Sequence, residues 1–444
     1  MIERFLNLVN ADPEAPALID GASGAVTTRA QLLALASSFD FEGLEAGDGV
    51  AIQLPNSVQF VAAFLAACRR DLVVFPIDRD ANESEVAKIL TQFSIRGLVS
   101  RRSGFSPTRR AEARPTFPPF ARLVKLTSGS TGMPKGIVVT EANLIADCEN
   151  ICSTMDIRPD DINLGAIPFS HSYGFANLVM PLLVQGTPVV VSNDYLPQSL
   201  VDLVNRHRCT VAPLIPMVFE HLANAAHGSF ESVRTFLSAG APLPASTSRK
   251  FRERFNIDIH SFYGCSECGG ITYDRPGGAV ERGTVGSAMD GVTLSTHTRR
   301  LSVRSSSVAA GYLFDASTFE PFENGTFITD DLVEVRDDGE LALTGRASDL
   351  INTAGKKVNP REVEAVLLQI DGVREAKVYG AAAGARGEVV AAAIVAMPNV
   401  TRELVREFCR ARLSLHKVPR IIKLIDEMPV DERGKVRRAA LASL

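Results

Sequence analysis

The chain has 444 residues, and at about 150 residues per domain this length predicts two to four domains. Its 47 Lys and Arg and 51 Asp and Glu give a formal net charge of −4 at pH 7, which argues against a generally basic nucleic-acid-binding protein. Hydrophobic residues make up 45% and charged residues 22% of the chain, the usual composition of globular proteins, which argues against a largely disordered chain.

Helix-like and strand-like segments alternate over the first hundred residues. Residues 31–39 and the apolar run 57–68 are predicted helices, and residues 49–54 and 72–76 are predicted strands. Strand–helix–strand spacing of this kind is typical of parallel α/β architecture. A segment with five Arg and four Pro then interrupts the pattern at residues 100–119. We interpret it as a solvated connection or, alternatively, as a docking patch for an acidic partner such as a carrier protein.

The α/β pattern resumes at residue 123 and continues to about residue 271, with buried strands predicted at Val189–Val191 and residues 210–212. Between residues 283 and 343 the strand-like segments are shorter and closer together, which is typical of a β-rich region. The last part of the chain returns to a smaller alternation of helices and strands. There we predict helices at residues 360–368 and 402–413 and strands at residues 376–379 and 389–395.

This organisation predicts an α/β fold made of two domains. A large N-terminal domain of residues 1–347 is expected to combine parallel α/β subdomains with a β-rich subdomain. A small α+β C-terminal domain of residues 348–444 is expected to follow, with the boundary near Ser348.

Membrane and metal-binding signals are weak in this sequence. No apolar run reaches the roughly 18 residues that a spanning helix needs, and no basic segment followed by an apolar one opens the chain. Seven scattered Cys favour free thiols in a reducing cytoplasm over a disulfide scaffold. Cys265 and Cys268 form a CxxC pair, but no second pair stands at zinc-site spacing, so free thiols are favoured there too.

The strongest chemical signal is a run of small hydroxyl and glycine residues between two predicted strands. Small side chains let backbone N–H groups approach phosphate oxygens, hydroxyls add donors, and Lys135 adds positive charge. The run is not a Walker P-loop, because Lys135 follows Pro134 instead of preceding a Ser or Thr at the start of a helix. The candidate phosphate-binding residues are Thr127, Ser128, Gly129, Ser130, Thr131, Gly132 and Lys135.

This run resembles the phosphate loop of the adenylate-forming superfamily, which includes acyl- and aryl-CoA synthetases, peptide-synthetase adenylation domains and luciferases. Six motifs follow in the family order between residues 126 and 438, and the similarity covers nearly the whole chain. It implies that the C-terminal domain is mobile. Two shortened regions depart from the family pattern, one between residues 291 and 323 and one before the phosphate loop.

The resemblance implies roles for three further segments of the N-terminal domain. His171 lies where the family has a residue of the acyl pocket near the reacting carboxylate. Tyr263 would stack on adenine beside Gly264, since an aromatic face suits a purine. The remaining implied roles are adenine contact by Gly240, Ala241 and Pro242, α-phosphate binding by Ser266, and Mg²⁺ binding by Glu267, whose carboxylate is the hard oxygen ligand that Mg²⁺ prefers.

The resemblance also implies roles for residues near and beyond the predicted boundary. Asp331 takes the ribose-binding position, and Arg346 would contact ribose or phosphate. Lys435 falls on the adenylation lysine, which would bridge the attacking carboxylate and the α-phosphate. Gly355 would let a pantetheine thiol pass close to the backbone, and Ser348 takes the hinge position. Three positions differ from the usual family residues: Asp330 replaces Gly, Ser348 replaces Asp or Lys, and Asn352 replaces Lys.

The implied activity is AMP-forming ligation of a carboxylic acid to a thiol, with ATP, Mg²⁺ and CoA as the acceptor. No acid occurs at residues 174–178, where amino-acid activators carry an Asp, so a fatty or aryl acid is favoured. Since no carrier domain follows Leu444, we expect a free-standing ligase, a monomer or homodimer. Four alternatives stay open: transfer to a carrier-protein phosphopantetheine, adenylation without a thiol acceptor, an inactive nucleotide-binding homologue, and a scaffolding role.

Overall fold

The computed structural model describes residues 1–101, 104–108, 115–127, 134–225, 227–353, 356–382, 388–429, 436 and 441. These residues divide into two compact units. The first unit consists of Met1–Ser295, Ser302–Phe327 and Val335–Ala342, and the second of Thr296–Leu301, Ile328–Glu334 and Leu343–Leu444. The boundary near Ser348, between residues 1–347 and 348–444, stays a prediction.

Strands carry most of the framework. In the N-terminal part they are β1 (Pro16–Asp20), β2 (Val26–Thr28), β3 (Gly49–Gln53), β4 (Val73–Pro76), β5 (Gly97–Ser100), β6 (Gly104–Pro107), β7 (Ala121–Thr127), β8 (Lys135–Thr140), β9 (Asn163–Gly165), β10 (Val189–Val191), β11 (Val211–Leu214), β12 (Thr235–Ser238), β13 (Ile259–Cys265), β14 (Gly269–Tyr273) and β15 (Ser287–Ala288). They continue as β16 (Val292–His297), β17 (Arg300–Ser305), β18 (Gly311–Leu313), β19 (Phe319–Pro321), β20 (Thr326–Val335), β21 (Leu341–Arg346), β22 (Ile351–Thr353), β23 (Lys356–Val358), β24 (Val373–Ala382), β25 (Glu388–Ala396) and β26 (Ile421–Ile425).

Helices connect and cover these strands. They are α1 (Ile2–Ala11), α2 (Arg29–Ser38), α3 (Val58–Arg69), α4 (Glu83–Gln92), α5 (Glu141–Met155), α6 (Ser172–Gly174), α7 (Met180–Val184), α8 (Pro197–His207), α9 (Pro216–Ala225), α10 (Ala245–Phe255), α11 (Pro360–Leu367) and α12 (Arg402–Arg410), with a π-helix at Phe175–Val179 and a 3₁₀ helix at Leu415–Lys417. Within the described residues, none combines the length and the apolar character needed to cross a bilayer.

Two large sheets form the first unit. One has the spatial order β19-β18-β8-β7-β4-β3-β5-β6, and the other has the order β15-β14-β13-β12-β11-β9-β10-β1-β2. Neighbouring central strands are parallel in both sheets, for example β3 with β4 and β11 with β12. Helix α3 is apolar on every face from Phe60 to Cys68, and that whole stretch is buried. A helix of this kind belongs in the core of an α/β protein.

The second unit has its own small core. Strands β24, β25 and β26 form a three-stranded sheet in that order, with β24 antiparallel and β26 parallel to β25. The cluster of buried apolar side chains here includes Val363 and Leu367 of α11 and Val405 of α12, together with Val378 and Ile394 of the sheet. This arrangement is the small α+β alternation that the sequence predicts. A further four-stranded sheet has the order β16-β17-β20-β21.

The predicted fold class and elements are confirmed. The predicted helices at 31–39, 57–68, 360–368 and 402–413 are α2, α3, α11 and α12, with ends that move by up to three residues. Helix α3 begins one residue late because the Ser57 hydroxyl caps it by accepting the N–H of Phe60 at 3.2 Å. All seven Cys are free thiols.

Candidate active site

The two strands that flank the predicted phosphate loop form an antiparallel pair. Thr127, the last residue of β7, lies opposite Lys135, the first residue of β8. The Thr127 hydroxyl donates to the carbonyl of Lys135 at 3.4 Å. Lys135 therefore starts a strand, where the sheet fixes its backbone. Five predicted phosphate-binding residues lie outside the described residues: Ser128, Gly129, Ser130, Thr131 and Gly132.

The side chain of Lys135 lies against two aromatic rings. Its Nζ atom is 4.8 Å from the centre of the Tyr312 ring and 5.3 Å from the centre of the Phe314 ring. Both rings come from β18 and the residue after it, and β18 pairs antiparallel with β8. The negative faces of aromatic rings attract an ammonium group, so the rings hold the lysine without neutralising its charge.

Glu267 lies in the turn between β13 and β14, and it contacts the same tyrosine. The Tyr312 hydroxyl donates to Oε1 of Glu267 at 2.9 Å. The backbone carbonyl of Glu267 accepts the N–H of Ala309 at 2.8 Å, which fixes the turn against the chain entering β18. Burial, and secondarily the Glu267 carboxylate, raises the pKa of Tyr312 far above its usual range. Tyr312 therefore stays protonated and remains a donor.

The segment around His171 meets the turn that carries Ser266. The hydroxyl oxygens of Ser172 and Ser266 lie 3.0 Å apart and share a hydrogen bond. His171 is exposed, and its Nδ1 atom accepts the N–H of Tyr173 at 3.2 Å, which fixes the ring at the start of α6. The buried Lys125 donates to the carbonyl of Ser266 at 3.4 Å. Two sequence motifs almost a hundred residues apart thus form one polar cluster.

Tyr263 and Gly264 lie on β13 at a β-bulge, where the pairing with β14 shifts in register between them. A Cβ atom at Gly264 would lie 2.4 Å from the carbonyl oxygen of Gly269, so only glycine fits at this position of the strand pair. Bulges are frequent next to active sites because they redirect a side chain. Tyr263 is half-buried, which leaves part of its ring accessible to a ligand.

The predicted adenine-contact residues begin two residues after the end of β12. Gly240, Ala241 and Pro242 are all exposed, and Gly240 has a left-handed backbone with φ of +85°. Strand β12 runs parallel to β11 and β13. The segment therefore lies beyond the carboxyl end of a parallel strand, where α/β folds place their ligands.

The remaining predicted residues belong to the second unit. Arg346 at the end of β21 donates from Nε to Oδ1 of Asp331 on β20 at 3.1 Å. Although partial burial acts in the opposite direction, Asp331 raises the pKa of Arg346 above its ordinary value. The backbone N–H of Ser348 donates to Asp330 at 3.2 Å, and the Ser348 hydroxyl also donates to that carboxylate. Gly355 and Lys435 lie outside the described residues.

Two functional candidates were missed by the sequence reasoning. Tyr312 belongs to a short apolar strand that carries no catalytic pattern, so its contacts with Lys135 and Glu267 have no sequence signal. Asp147 on α5 is buried at 5% exposure and accepts the N–H of Gly270 at 2.9 Å, three residues after Glu267. Burial raises the pKa of Asp147 above its ordinary value.

The carboxylate oxygens of Glu267 have the chemistry of ligands for a magnesium ion that bridges phosphates. The described residues hold no group of three or more His, Cys, Asp or Glu that could bind a metal by itself. Mg²⁺ needs no such group, because one or two carboxylates together with substrate phosphates and waters complete its shell. Oε1 of Glu267 accepts from Tyr312, and within the described residues Oε2 has no hydrogen bond. The second oxygen therefore has the chemistry of a carboxylate ligand for such a site.

The chain matches two known sequence families along its length. Residues 7–120 and 121–312 match the profile of the AMP-binding enzymes, and residues 362–435 match the C-terminal domain of these enzymes. The chain is 28% identical to a sulfoacetate–CoA ligase of Cupriavidus necator, over 97% of this chain and 94% of the relative. It is 26% identical to the long-chain-fatty-acid–CoA ligase FadD13 of Mycobacterium tuberculosis, over 97% and 95%.

A solved structure confirms the fold class. The o-succinylbenzoate CoA synthetase MenE of Bacillus subtilis, solved with its acyl-adenylate intermediate, aligns with a TM-score of 0.84 at 24% identity. The alignment covers 99% of this chain and 97% of that protein. A match of this extent shows that the two chains share their fold.

Proposed function

This chain belongs to the AMP-binding enzyme family, and we propose that it activates a carboxylic acid with ATP and transfers the acyl group to CoA. It is an AMP-forming acyl- or aryl-CoA ligase. The observation that carries this proposal is the cluster of Lys135, Tyr312 and Glu267, since three distant segments bring a phosphate-binding cation and a metal-binding carboxylate to one tyrosine. Two relatives over nearly the full length are CoA ligases, which supports the same activity.

In the first half-reaction, an oxygen of the acid attacks the α-phosphorus of ATP. The bond from that phosphorus to the bridging oxygen breaks, pyrophosphate leaves with the electron pair, and an acyl-adenylate forms. Lys135 offsets negative charge on the phosphates, and Lys435 bridges the attacking carboxylate and the α-phosphate. The hydroxyl of Ser266 donates to the α-phosphate. Mg²⁺ held by Glu267 would supply further charge neutralisation on the phosphates.

In the second half-reaction, the thiol sulfur of CoA attacks the acyl carbon, AMP leaves and the thiol proton is released. We propose that the chain around Gly355 passes close to the pantetheine, since glycine has no side chain to block it. Ser348 would serve as the hinge about which the C-terminal domain moves between the two half-reactions.

We propose roles in nucleoside binding for Tyr263, for residues 240–242 and for Asp331. The ring of Tyr263 stacks on one face of adenine, and the exposed segment of Gly240, Ala241 and Pro242 contacts the other. Asp331 accepts hydrogen bonds from the ribose hydroxyls. Its existing bond from Arg346 orients the carboxylate for this purpose.

A fatty or aryl acid is the proposed substrate class. Residues 174–178, where an amino-acid activator needs a carboxylate, are wholly buried and hold only apolar groups and Asn177. The ammonium group of an amino acid would therefore meet no countercharge there. The runner-up acceptor is the phosphopantetheine of a carrier protein. Most of the Arg residues that favour a carrier, including Arg109, Arg110 and Arg114, lie outside the described residues.

ATP–pyrophosphate exchange tests the proposal. Purified protein is assayed with fatty, aryl, short dicarboxylic, sulfonated and amino acids, beside the variant Lys435→Ala. We expect exchange with one class of simple acid and a loss of at least about 100-fold in the variant, as removal of a transition-state donor costs about 10²–10³-fold. Mass spectrometry with CoA then detects the thioester. Absence of exchange with every acid, in protein that still binds ATP, would leave an inactive nucleotide-binding homologue as the better description.

A further inference from the structure

We infer that Tyr312 is a positioning residue that keeps Lys135 and Glu267 apart and aims each at its own part of the nucleotide. This inference rests on the proposed function, because it assigns Lys135 to the phosphates and Glu267 to Mg²⁺. One side chain contacts both residues, with its ring facing the lysine at 4.8 Å and its hydroxyl bound to the glutamate at 2.9 Å. Tyr312 thus contacts two side chains of opposite charge at the same time.

The separation of these charges has a physical consequence. Lys135 and Glu267 form no ion pair with each other in the part of the chain that the structure describes. A direct pair would neutralise both groups, and it would also occupy the carboxylate oxygen that a metal needs. The aromatic face stabilises the ammonium electrostatically while leaving its three N–H donors available to phosphate oxygens. A tyrosine between the two residues therefore preserves both charges for the ligand.

The position of the Tyr312 ring is fixed from several sides. Its backbone pairs with Ile137 of β8 and with Glu320 of β19, so it lies on an interior strand of the sheet. Its ring meets that of Phe322 edge-on, with centroids 4.9 Å apart, and that of Phe327 at 6.3 Å. Because β-strand and ring are both held, the hydroxyl has little freedom to follow a moving carboxylate.

The backbone of Phe314, which carries the second ring, is held by a separate contact. Nε2 of Gln92, at the end of α4, donates to the carbonyl of Phe314 at 2.6 Å and to that of Pro134 at 2.9 Å. Pro134 immediately precedes Lys135. One amide thus ties the backbone of the lysine segment to the backbone of the aromatic residue that faces the lysine.

The hydroxyl has the directional role and the ring has the electrostatic role, so two substitutions separate them. Tyr312→Phe removes the hydroxyl and keeps the ring over Lys135. Tyr312→Leu removes both and lets Lys135 approach Glu267. Tyr195→Phe is the matched control, since the Tyr195 hydroxyl makes a comparable bond of 2.8 Å to the carbonyl of Ala166. Glu267→Gln serves as the reference for loss of the metal ligand.

The readouts separate metal affinity from turnover. Binding of Mn²⁺ with a non-hydrolysable ATP analogue is measured by electron paramagnetic resonance, and pyrophosphate exchange gives the Mg²⁺ and ATP requirements. For Tyr312→Phe we expect the affinity for Mn²⁺ to fall about 10-fold and the Mg²⁺ concentration needed for half-maximal exchange to rise about 10-fold, as expected for loss of a hydrogen bond to a charged group. The KM for ATP at saturating Mg²⁺ should change less than about 3-fold. Tyr312→Leu should also raise the KM for ATP about 10-fold or more.

Two results would overturn the inference, and a third would contradict part of the proposed function. If Tyr312→Phe matches Tyr195→Phe in Mn²⁺ affinity and Mg²⁺ requirement while Glu267→Gln loses both, Tyr312 does not position the glutamate. If Tyr312→Leu changes only the metal requirement, the ring of Tyr312 does not position Lys135. Should Tyr312→Leu fail to fold, Tyr312→Phe still tests the positioning of Glu267, and Phe314→Leu tests whether an aromatic contact with Lys135 affects the KM for ATP. If Glu267→Gln leaves Mn²⁺ binding unchanged, the proposed metal role of Glu267 is wrong as well.

Discussion

Gly269→Ala should destabilise the first unit and reduce adenylation together. Gly269 lies two residues after Glu267 and has a left-handed backbone with φ of +75°. A Cβ atom there would lie 2.2 Å from Oδ1 of Asp147. Asp147 is buried on α5, and the same oxygen accepts the N–H of Gly270. The new methyl group must therefore displace the buried carboxyl from the N–H of Gly270 or move the turn that carries Ser266 and Glu267.

The magnitude follows from two separate costs. A left-handed backbone costs a non-glycine residue about 1–2 kcal/mol. Leaving a buried polar group without its hydrogen bond costs about 1–3 kcal/mol more. The sum, about 2–5 kcal/mol, is a large fraction of the roughly 5–15 kcal/mol that stabilises a typical domain. A shift of about 1 Å in a positioned group lowers a rate about 100-fold, so we expect pyrophosphate exchange to fall about 10- to 100-fold at permissive temperature.

The assay is urea unfolding followed by far-UV circular dichroism, since the chain has no Trp for fluorescence. Gly47→Ala is the control: its φ is +86°, and a Cβ atom there would meet nothing within 4 Å. It should cost only the backbone share of about 1–2 kcal/mol. In an Asp147→Ala background the extra cost of Gly269→Ala should vanish. The reasoning fails if both glycine variants lose the same stability, or if the extra cost survives removal of the Asp147 carboxyl.

Three further predictions concern other parts of the chain. Burial acts to raise the pKa of Asp161, but hydrogen bonds from Arg234, Arg158 and Thr210 hold it below its ordinary 3.8. The stabilisation from these bonds is therefore present above pH 3.8 and is lost as the pH falls through the lower folded-state pKa. Urea unfolding of Asp161→Asn should show a loss of about 1–3 kcal/mol at pH 7 that shrinks toward zero in acid; a pH-independent loss would contradict it. Asp331→Asn should raise the KM for ATP in pyrophosphate exchange about 10-fold or more, because a neutral amide binds the ribose hydroxyls less strongly; an unchanged KM removes Asp331 from the ribose site. Phe251→Ala, in a cluster of buried phenylalanines with Phe236 at 5.1 Å, should cost about 3–5 kcal/mol of unfolding free energy without changing the KM for ATP, whereas a cost below about 1 kcal/mol would mean that this cluster is not a stabilising core.

Local patterns account for what the sequence predicted well. The apolar run that became α3 is long, lacks Gly and Pro, and begins after a Ser that caps it, so its helix follows from neighbouring residues alone. The β-rich spacing of residues 283–343 was also recognised. The sequence gives no sign, however, that this region is divided between two compact units, because that division depends on which distant strands pair.

The contacts that organise the candidate site are nonlocal. Tyr312 and Glu267 are 45 residues apart, and Asp147 and Gly270 are 123 apart, so no motif of adjacent residues records either contact. In the sequence, each of the four residues looks ordinary: Tyr312 is a tyrosine in a strand, Glu267 an acid in a turn, Asp147 an acid in a helix and Gly270 a glycine in a hairpin. Sequence reasoning identified Lys135 and Glu267 through their motifs, but the residue between them is visible only after the sheet places β18 beside β8.

The two departures from the family pattern near the predicted hinge explain each other. Asp330 stands where Gly is usual, and Ser348 stands where Asp or Lys is usual; taken separately, each adds or removes a charge without a reason. In the structure the backbone N–H and the hydroxyl of Ser348 both donate to the Asp330 carboxylate, and the N–H of Ala347 donates to the Asp330 carbonyl at 2.8 Å. An acid at position 348 would place two carboxylates together, which is unfavourable. Serine at position 348 instead donates two hydrogen bonds to the acid at position 330, so the two departures are compatible with each other.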